Sequence, residues 1–250
     1  MRRLLAALAF LLPLAAQAGA AEPACPDVSV PPVAVPHMRA ALEADQEAVV
    51  VALGSSTTQS HLATDRAHSY PAQLQDRLSD TLPAAHVAVI NRGIGGEDVT
   101  EEMARLDADA LVVRPSLVIW QVGANAILRH IDPGLFKHLL AAGVRRLQSA
   151  NVDVVLMDNQ RAPAILGSPA HIKLEQALAD VAAETGASLF SRERLMDSWQ
   201  QAGYPYELFI GPDNLHHNDR GYACVARALS TAIAEGLGRA AESSRVAAAR

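Results

Sequence analysis

Short apolar runs and longer segments of helical spacing alternate along most of this chain. Ala48 to Leu53 is apolar throughout and stops at Gly54; Val87 to Ile90, Ser116 to Trp120 and Val152 to Met157 repeat that character, and Ala187 to Phe190 is a weaker fifth run. Uninterrupted apolar runs of this length suit strands covered on both faces of a parallel sheet. The segments between them place apolar residues at helical spacing over Tyr70–Leu82, Val99–Val113, Pro133–Ala150, Ser168–Thr185 and Asp219–Leu237. Such alternation predicts an α/β domain with a mainly parallel central sheet of about five strands and helices on both faces. Ligands of such sheets bind where loops leave the carboxyl ends of the strands, so chemistry is sought there.

The two ends of the chain break the pattern. Arg2 and Arg3 precede an apolar run from Leu4 to Ala16, closed by the small residues around Ala16-Gln17-Ala18, which is the layout of a cleaved secretory signal peptide over residues 1–20. Pro13 interrupts that run, and it falls short of the roughly 20 residues a spanning helix needs. Residues 21–40 are proline-rich and read as an extended leader; residues 41–240 are expected to form one domain, and residues 241–250 an alanine-rich tail that frays. With 50% hydrophobic side chains in 250 residues, the chain can bury one substantial core. Loss of Arg2 and Arg3 moves the formal charge from −6 to −8, and no dense basic run remains, which argues against nucleic acid as a partner. The two cysteines, Cys25 and Cys224, would meet an oxidising environment after export, and a disulfide between them is expected, with two separate buried thiols as the alternative. Glu22 and Pro23 do not suit a lipidation signal at Cys25, and no stable membrane insertion is expected after processing.

Four clusters carry candidate chemistry. The first strand runs into Gly54-Ser55-Ser56-Thr57-Thr58, a serine at a sharp strand-to-loop corner where a nucleophile can be exposed; a plain turn or helix cap would also use these residues. Asn91-Arg92-Gly93-Ile94-Gly95-Gly96 and Gln121-Val122-Gly123-Ala124-Asn125 follow the next two strands, so the Gly93 amide and the Asn125 side chain can donate to a developing oxyanion. Asp213-Asn214-Leu215-His216-His217 supplies a base and an acid to orient it, and spacing alone leaves open which histidine Asp213 serves. Asp219 reads as an N-cap or first-turn acid of the last helix, Glu97, Asp98, Glu101 and Glu102 as a solvated face with first-turn charge on a helix, and Asp158-Asn159-Gln160-Arg161 as a structural loop or as pocket lining. A nucleotide site finds neither G-x-x-x-x-G-K-[ST] nor a complete G-x-G-x-x-G, and the nine histidines include no H-E-x-x-H, so no cofactor and no catalytic metal are expected.

In this order the four clusters resemble the SGNH/GDSL hydrolases. Ser56 matches the nucleophile, with Ser55 where the namesake motif often has aspartate; Gly93 matches the backbone donor; Asn125 matches the side-chain donor, with Ala126 replacing the usual aspartate; and Asp213-Asn214-Leu215-His216 matches D-x-x-H, selecting His216 over His217. The resemblance implies a three-layer α/β/α sandwich of flavodoxin-like type and a carboxylic ester hydrolase. Its triad would be Ser56, His216 and Asp213, and its oxyanion hole the amides of Ser56 and Gly93 with the Asn125 side chain. The substrate class it implies is a small-molecule or polysaccharide ester, such as an O-acetylated envelope glycan, with lysophospholipid and thioester as alternatives. A binding protein that keeps the fold but turns nothing over is the rival from another class.

Overall fold

A computed structural model describes residues 25–248, with side chains through residue 238; the segment read as a signal peptide lies outside the described residues. From Cys25 to Val35 the chain is irregular and lies over the domain, burying Val30, Val33 and Val35 and joining Val33 N–H to the carbonyl of Ala232 at 3.1 Å. The segment read as wholly extended then turns into helix α1, Pro36–Glu43, because Pro36 starts a helix without needing its missing N–H. The Met38 amide is satisfied at 2.9 Å by the Asp153 carboxylate.

Five parallel strands follow in the spatial order β2-β1-β3-β4-β5: β1 Ala48–Gly54, β2 Val87–Gly93, β3 Leu117–Gln121, β4 Asp153–Met157 and β5 Ser188–Phe190. All five coincide with the apolar runs. β3 and β4 are buried along their whole length and β1 at all but one position, as their unbroken apolar character requires. Crossovers run through α2, Ser56–Gln59, and α3, Tyr70–Thr81; through α4, Val99–Ala104; through α5, Ala124–Leu128, and α6, Pro133–Gln148; and through α7, Pro163–Leu166, and α8, His171–Thr185. α9, Arg192–Gln201, and α10, Asp219–Ala248, complete the fold. α3 and α10 pack together on one side of the sheet, and α4, α6 and α8 on the other.

Local signals explain the helix starts. Ser69 caps α3 by accepting the Ala72 amide, and Tyr70, Leu74 and Leu78 then line its buried stripe; Asp132 caps α6 through the Leu135 amide. The helix expected over Val99–Val113 is broken. α4 ends at Ala104, a π-helical turn spans Leu106–Ala110 and a 3₁₀ turn Leu111–Val113. At the break, the Arg105 side chain reaches Glu97, Asp109 and the Gly54 carbonyl.

The acidic cluster at the head of α4 is not a uniformly solvated face. Asp98 caps the helix in a reciprocal capping box with Glu101, while Glu102 is 1% exposed and accepts Trp120 Nε1–H at 2.8 Å. Glu101 and Glu102 are neighbours on α4, and successive helical positions diverge by about 100°, so one faces solvent while the other faces the sheet. The cysteines form the expected disulfide, Cys25–Cys224, with the Cα atoms 5.3 Å apart, which ties the leader to α10.

Candidate active site

The sheet order reverses direction between β1 and β3, and the crevice at such a switch point is where α/β sheets bind ligands. The loops after β1, β2 and β3 all open there. Ser56 begins α2 two residues beyond the end of β1, and its half-buried hydroxyl faces His216, delivered by the loop before α10.

Three side chains form one hydrogen-bonded line. Ser56 Oγ lies 2.7 Å from His216 Nε2, and His216 Nδ1 lies 2.6 Å from Asp213 Oδ2. Asp213 is fixed in turn, because its Oδ1 accepts the amides of Leu215 and His216, each at 3.0 Å. Burial works against the Asp213 anion, but the hydrogen bonds from the His216 ring and from those amides outweigh it and hold the carboxyl below its usual range. His216 is also held below its ordinary value: burial disfavours the imidazolium, His61 and Arg192 add like charge, and Asp213 pulls the other way. A neutral imidazole beside a serine hydroxyl is a base in its receptive form.

His217 does not share this position. It is fully buried and turned the other way, with Nδ1 3.1 Å from the Phe209 carbonyl, and burial, reinforced by Arg192, pushes its pKa down to about 3. The backbone between the two histidines forces this divergence, since the Gly211 amide donates to the His216 carbonyl and Ile210 pairs with His217 across a short antiparallel bridge.

The corner carrying Ser56 is held from below. Gln121 Oε1, at the end of β3, accepts the Ser55 amide at 3.2 Å, the Ser55 hydroxyl at 3.3 Å and the Thr58 hydroxyl at 3.1 Å. Serine at position 55 therefore points inward and anchors the turn. Gly93 sits so close to α2 that a Cβ there would fall 2.1 Å from the Gln59 amide nitrogen, which explains why only glycine fits. The Gly93 N–H donates to Asn91 Oδ1 at 2.8 Å, while Asn91 Nδ2 holds the Thr58 carbonyl. Asn125, near the start of α5, donates one Nδ2 hydrogen to the Glu97 carbonyl at 2.7 Å, and its amide carries a second.

Gln121 and Asn91 belong to clusters the sequence marks, but their supporting roles lay outside the sequence reading, as did that of His61, whose ring packs edge-on against His216 with centroids 4.6 Å apart. Gln121 closes an apolar run, and nothing in a strand pattern marks a terminal polar residue as turned inward. Asp158, Asn159 and Gln160 are buried, and Gln160 Nε2 donates to the Leu215 carbonyl at 2.7 Å, so this loop braces the His216 segment from behind. Asp219 accepts the Thr64 amide at 2.8 Å and the Thr64 hydroxyl, pinning the loop that follows α2 to the first turn of α10, while Asn218 Oδ1 accepts the Gly221 amide.

Residues 23–239 match the model of the non-GDSL lipase-like family. Among curated proteins, the esterase TesA of Pseudomonas aeruginosa is 29% identical over a stretch covering 41% of this chain and 50% of that protein, so the match spans about half the length of the relative. The fold is similar to that of a two-domain esterase, CEX, active on acetylated mannans (TM-score 0.68, 21% identity, 83% of this chain and 54% of that one). It is also similar to Axe2, an acetylxylan esterase from Geobacillus stearothermophilus (TM-score 0.63, 19% identity, 74% of this chain and 93% of that one). With serine where the namesake aspartate would stand, three clusters at strand ends of a 2-1-3-4-5 parallel sheet and the fourth in the loop before α10, the chain belongs to the non-GDSL lipase-like family of SGNH/GDSL-like hydrolases.

Proposed function

We propose that this protein is an exported serine esterase that removes short acyl groups, acetyl above all, from a hydroxyl-rich alcohol such as a glycan. The observation that carries the reading is the unbroken line from Ser56 Oγ through His216 to Asp213, at 2.7 and 2.6 Å. His216 Nε2 takes the serine proton as Oγ attacks the ester carbonyl, and Asp213 stabilises the imidazolium that forms. The oxyanion is met by the amides of Ser56 and Gly93 and by Asn125 Nδ2. Asn91 must release the Gly93 N–H for this, whereas Asn125 has a hydrogen to spare. His216 then protonates the departing alcohol, and water repeats the cycle on the acyl-enzyme.

The alcohol side is supported by a cavity of about 410 Å³ beside Gly93, lined by Gln59, Ser60, Asp65, Arg66 and Asn91 among others. Such polar walls suit hydroxyl groups better than a lysophospholipid chain. Similar proteins act on acetylated mannans and acetylxylan, which favours the same substrate class. Export is supported by the Cys25–Cys224 bond, which needs an oxidising compartment; no helix among the described residues is long and apolar enough to cross a membrane.

Hydrolysis of p-nitrophenyl acetate, butyrate and octanoate, run beside acetate release from acetylated mannan and xylan, tests the reading. Acetate should be the preferred acyl group, and Ser56→Ala should lower turnover on the order of 10⁴-fold or more. A folded Ser56→Ala protein that keeps its turnover would sink the assignment, and a folded wild type without any would bring the binding-protein reading forward.

A further inference from the structure

Away from Ser56, three side chains with no part in the proposed reaction converge beyond the end of β4. His171 and Glu175 stand one turn apart on α8, and Glu193 comes from the first turn of α9. His171 Nε2 is 3.4 Å from Glu193 Oε1, and one ligand atom from each of the three residues lies within 4.8 Å of the others. A zinc ion held tetrahedrally by nitrogen and oxygen at about 2.0–2.1 Å spaces its donors about 3.4 Å apart. One pair of donors already has that separation, and the third is a small adjustment away.

The surroundings resemble a prepared site more than a chance ion pair. Glu175 Oε1 accepts Asn159 Nδ2–H at 2.5 Å, which orients the carboxylate from outside in the manner of a support to a metal ligand. An open cavity of about 250 Å³, lined by Glu175, Glu193, Asp158, Asp197 and Arg194 among others, gives access from solvent. Arg161 is the group that must yield: its guanidinium is anchored on Asp197 at 2.8 Å and stands 3.8 Å from Glu193 Oε1.

We propose that His171, Glu175 and Glu193 bind a divalent transition ion of the zinc class, with water completing the coordination. One imidazole and two carboxylates are a donor set suited to such ions. The spacing escapes a motif search because the third ligand arrives from the next helix. The ion ties α8 to α9 and, through Asn159, reaches Gly123, where a Cβ would lie 2.8 Å from Asn159 Nδ2.

The test needs no turnover and stands apart from the esterase reading. Full-length protein stripped with EDTA is titrated with zinc chloride in a calorimeter, beside His171→Ala, Glu193→Gln and His61→Ala. The last is included because His61, Asp213 and His216 also bring donors within 4.8 Å of one another. Wild type and His61→Ala should bind one zinc per chain with the same affinity, and His171→Ala and Glu193→Gln should lose on the order of 100-fold. Circular dichroism verifies folding, and Glu193→Gln, at a half-exposed position of nearly equal volume, serves if the buried His171 does not tolerate alanine. A wild type that binds no zinc at micromolar concentration overturns the proposal. So does zinc that persists in the folded variants, or zinc lost only in His61→Ala.

Discussion

Glu102 should make the wild-type protein lose stability as pH rises, and Glu102→Gln should remove that loss. The carboxyl is fully buried beneath Trp120; burial raises its pKa from 4.5 to about 8, against the Trp120 hydrogen bond and the charge of Arg105. Between those two values the folded chain holds a proton that the unfolded chain has released. Stability attributable to this group is therefore intact below pH 4.5 and declines as pH climbs toward 8. At about 1.36 kcal/mol per pH unit, the decline reaches about 3 kcal/mol at pH 7. Glutamine has the shape of the protonated acid, can accept the same Trp120 N–H, and does not titrate. Urea unfolding of both proteins across pH 4.5 to 8 isolates the effect, since all other titrating groups cancel in the difference. The two should be nearly equally stable at the acid end, with the variant ahead by about 3 kcal/mol at neutral pH. A difference that stays constant with pH, or a variant weaker at pH 7, would refute the reasoning.

Other outcomes follow from the same geometry. Asn125→Ala should lower kcat about 10²- to 10³-fold with little change in melting temperature, as expected for loss of one oxyanion donor; an unchanged kcat would remove it from that role. On the proposed mechanism, in which His216 is the neutral base, the pH profile of kcat/KM should rise through an apparent pKa below 6.5, because burial depresses that histidine, so activity is lost as pH falls. A profile rising above pH 7 would contradict this. Replacing Cys25 and Cys224 by serine opens a loop of 199 residues and should cost roughly 3–5 kcal/mol, a drop of about 10 °C in melting temperature by differential scanning calorimetry. Superimposable melting curves would show that the bond adds nothing.

The parts of this fold that sequence makes legible are those set by burial on two faces. β1, β3 and β4 are apolar because both sides are covered, and their positions follow directly. α9 escaped because Leu195, Met196 and Trp199 are few apolar markers in a ten-residue helix that also buries an arginine. α1 escaped because its proline resembles the prolines of the leader. Glu102 reads as solvated among its acidic neighbours, and only the pitch of α4 turns it inward. At the site, the clusters around Ser56, Gly93 and Asn125 follow recognisable strands, whereas the choice of His216 over His217 beside Asp213 comes from the family resemblance, since spacing leaves it open. The roles of Gln121 and Asn91 within those clusters were not legible, since their importance lies in which groups they hold, and those come from distant loops.

The tie between the leader and α10 also bears on when the site comes into being. His216 lies 160 positions beyond Ser56, and Cys224, on the helix that follows, lies 199 beyond Cys25. A chain emerging from its N-terminal end can complete all five strands before either partner exists. If α10 docks as a unit, it brings His216 toward Ser56 and Cys224 toward Cys25 together, so on the proposed reading the serine lacks its base until the last helix has seated.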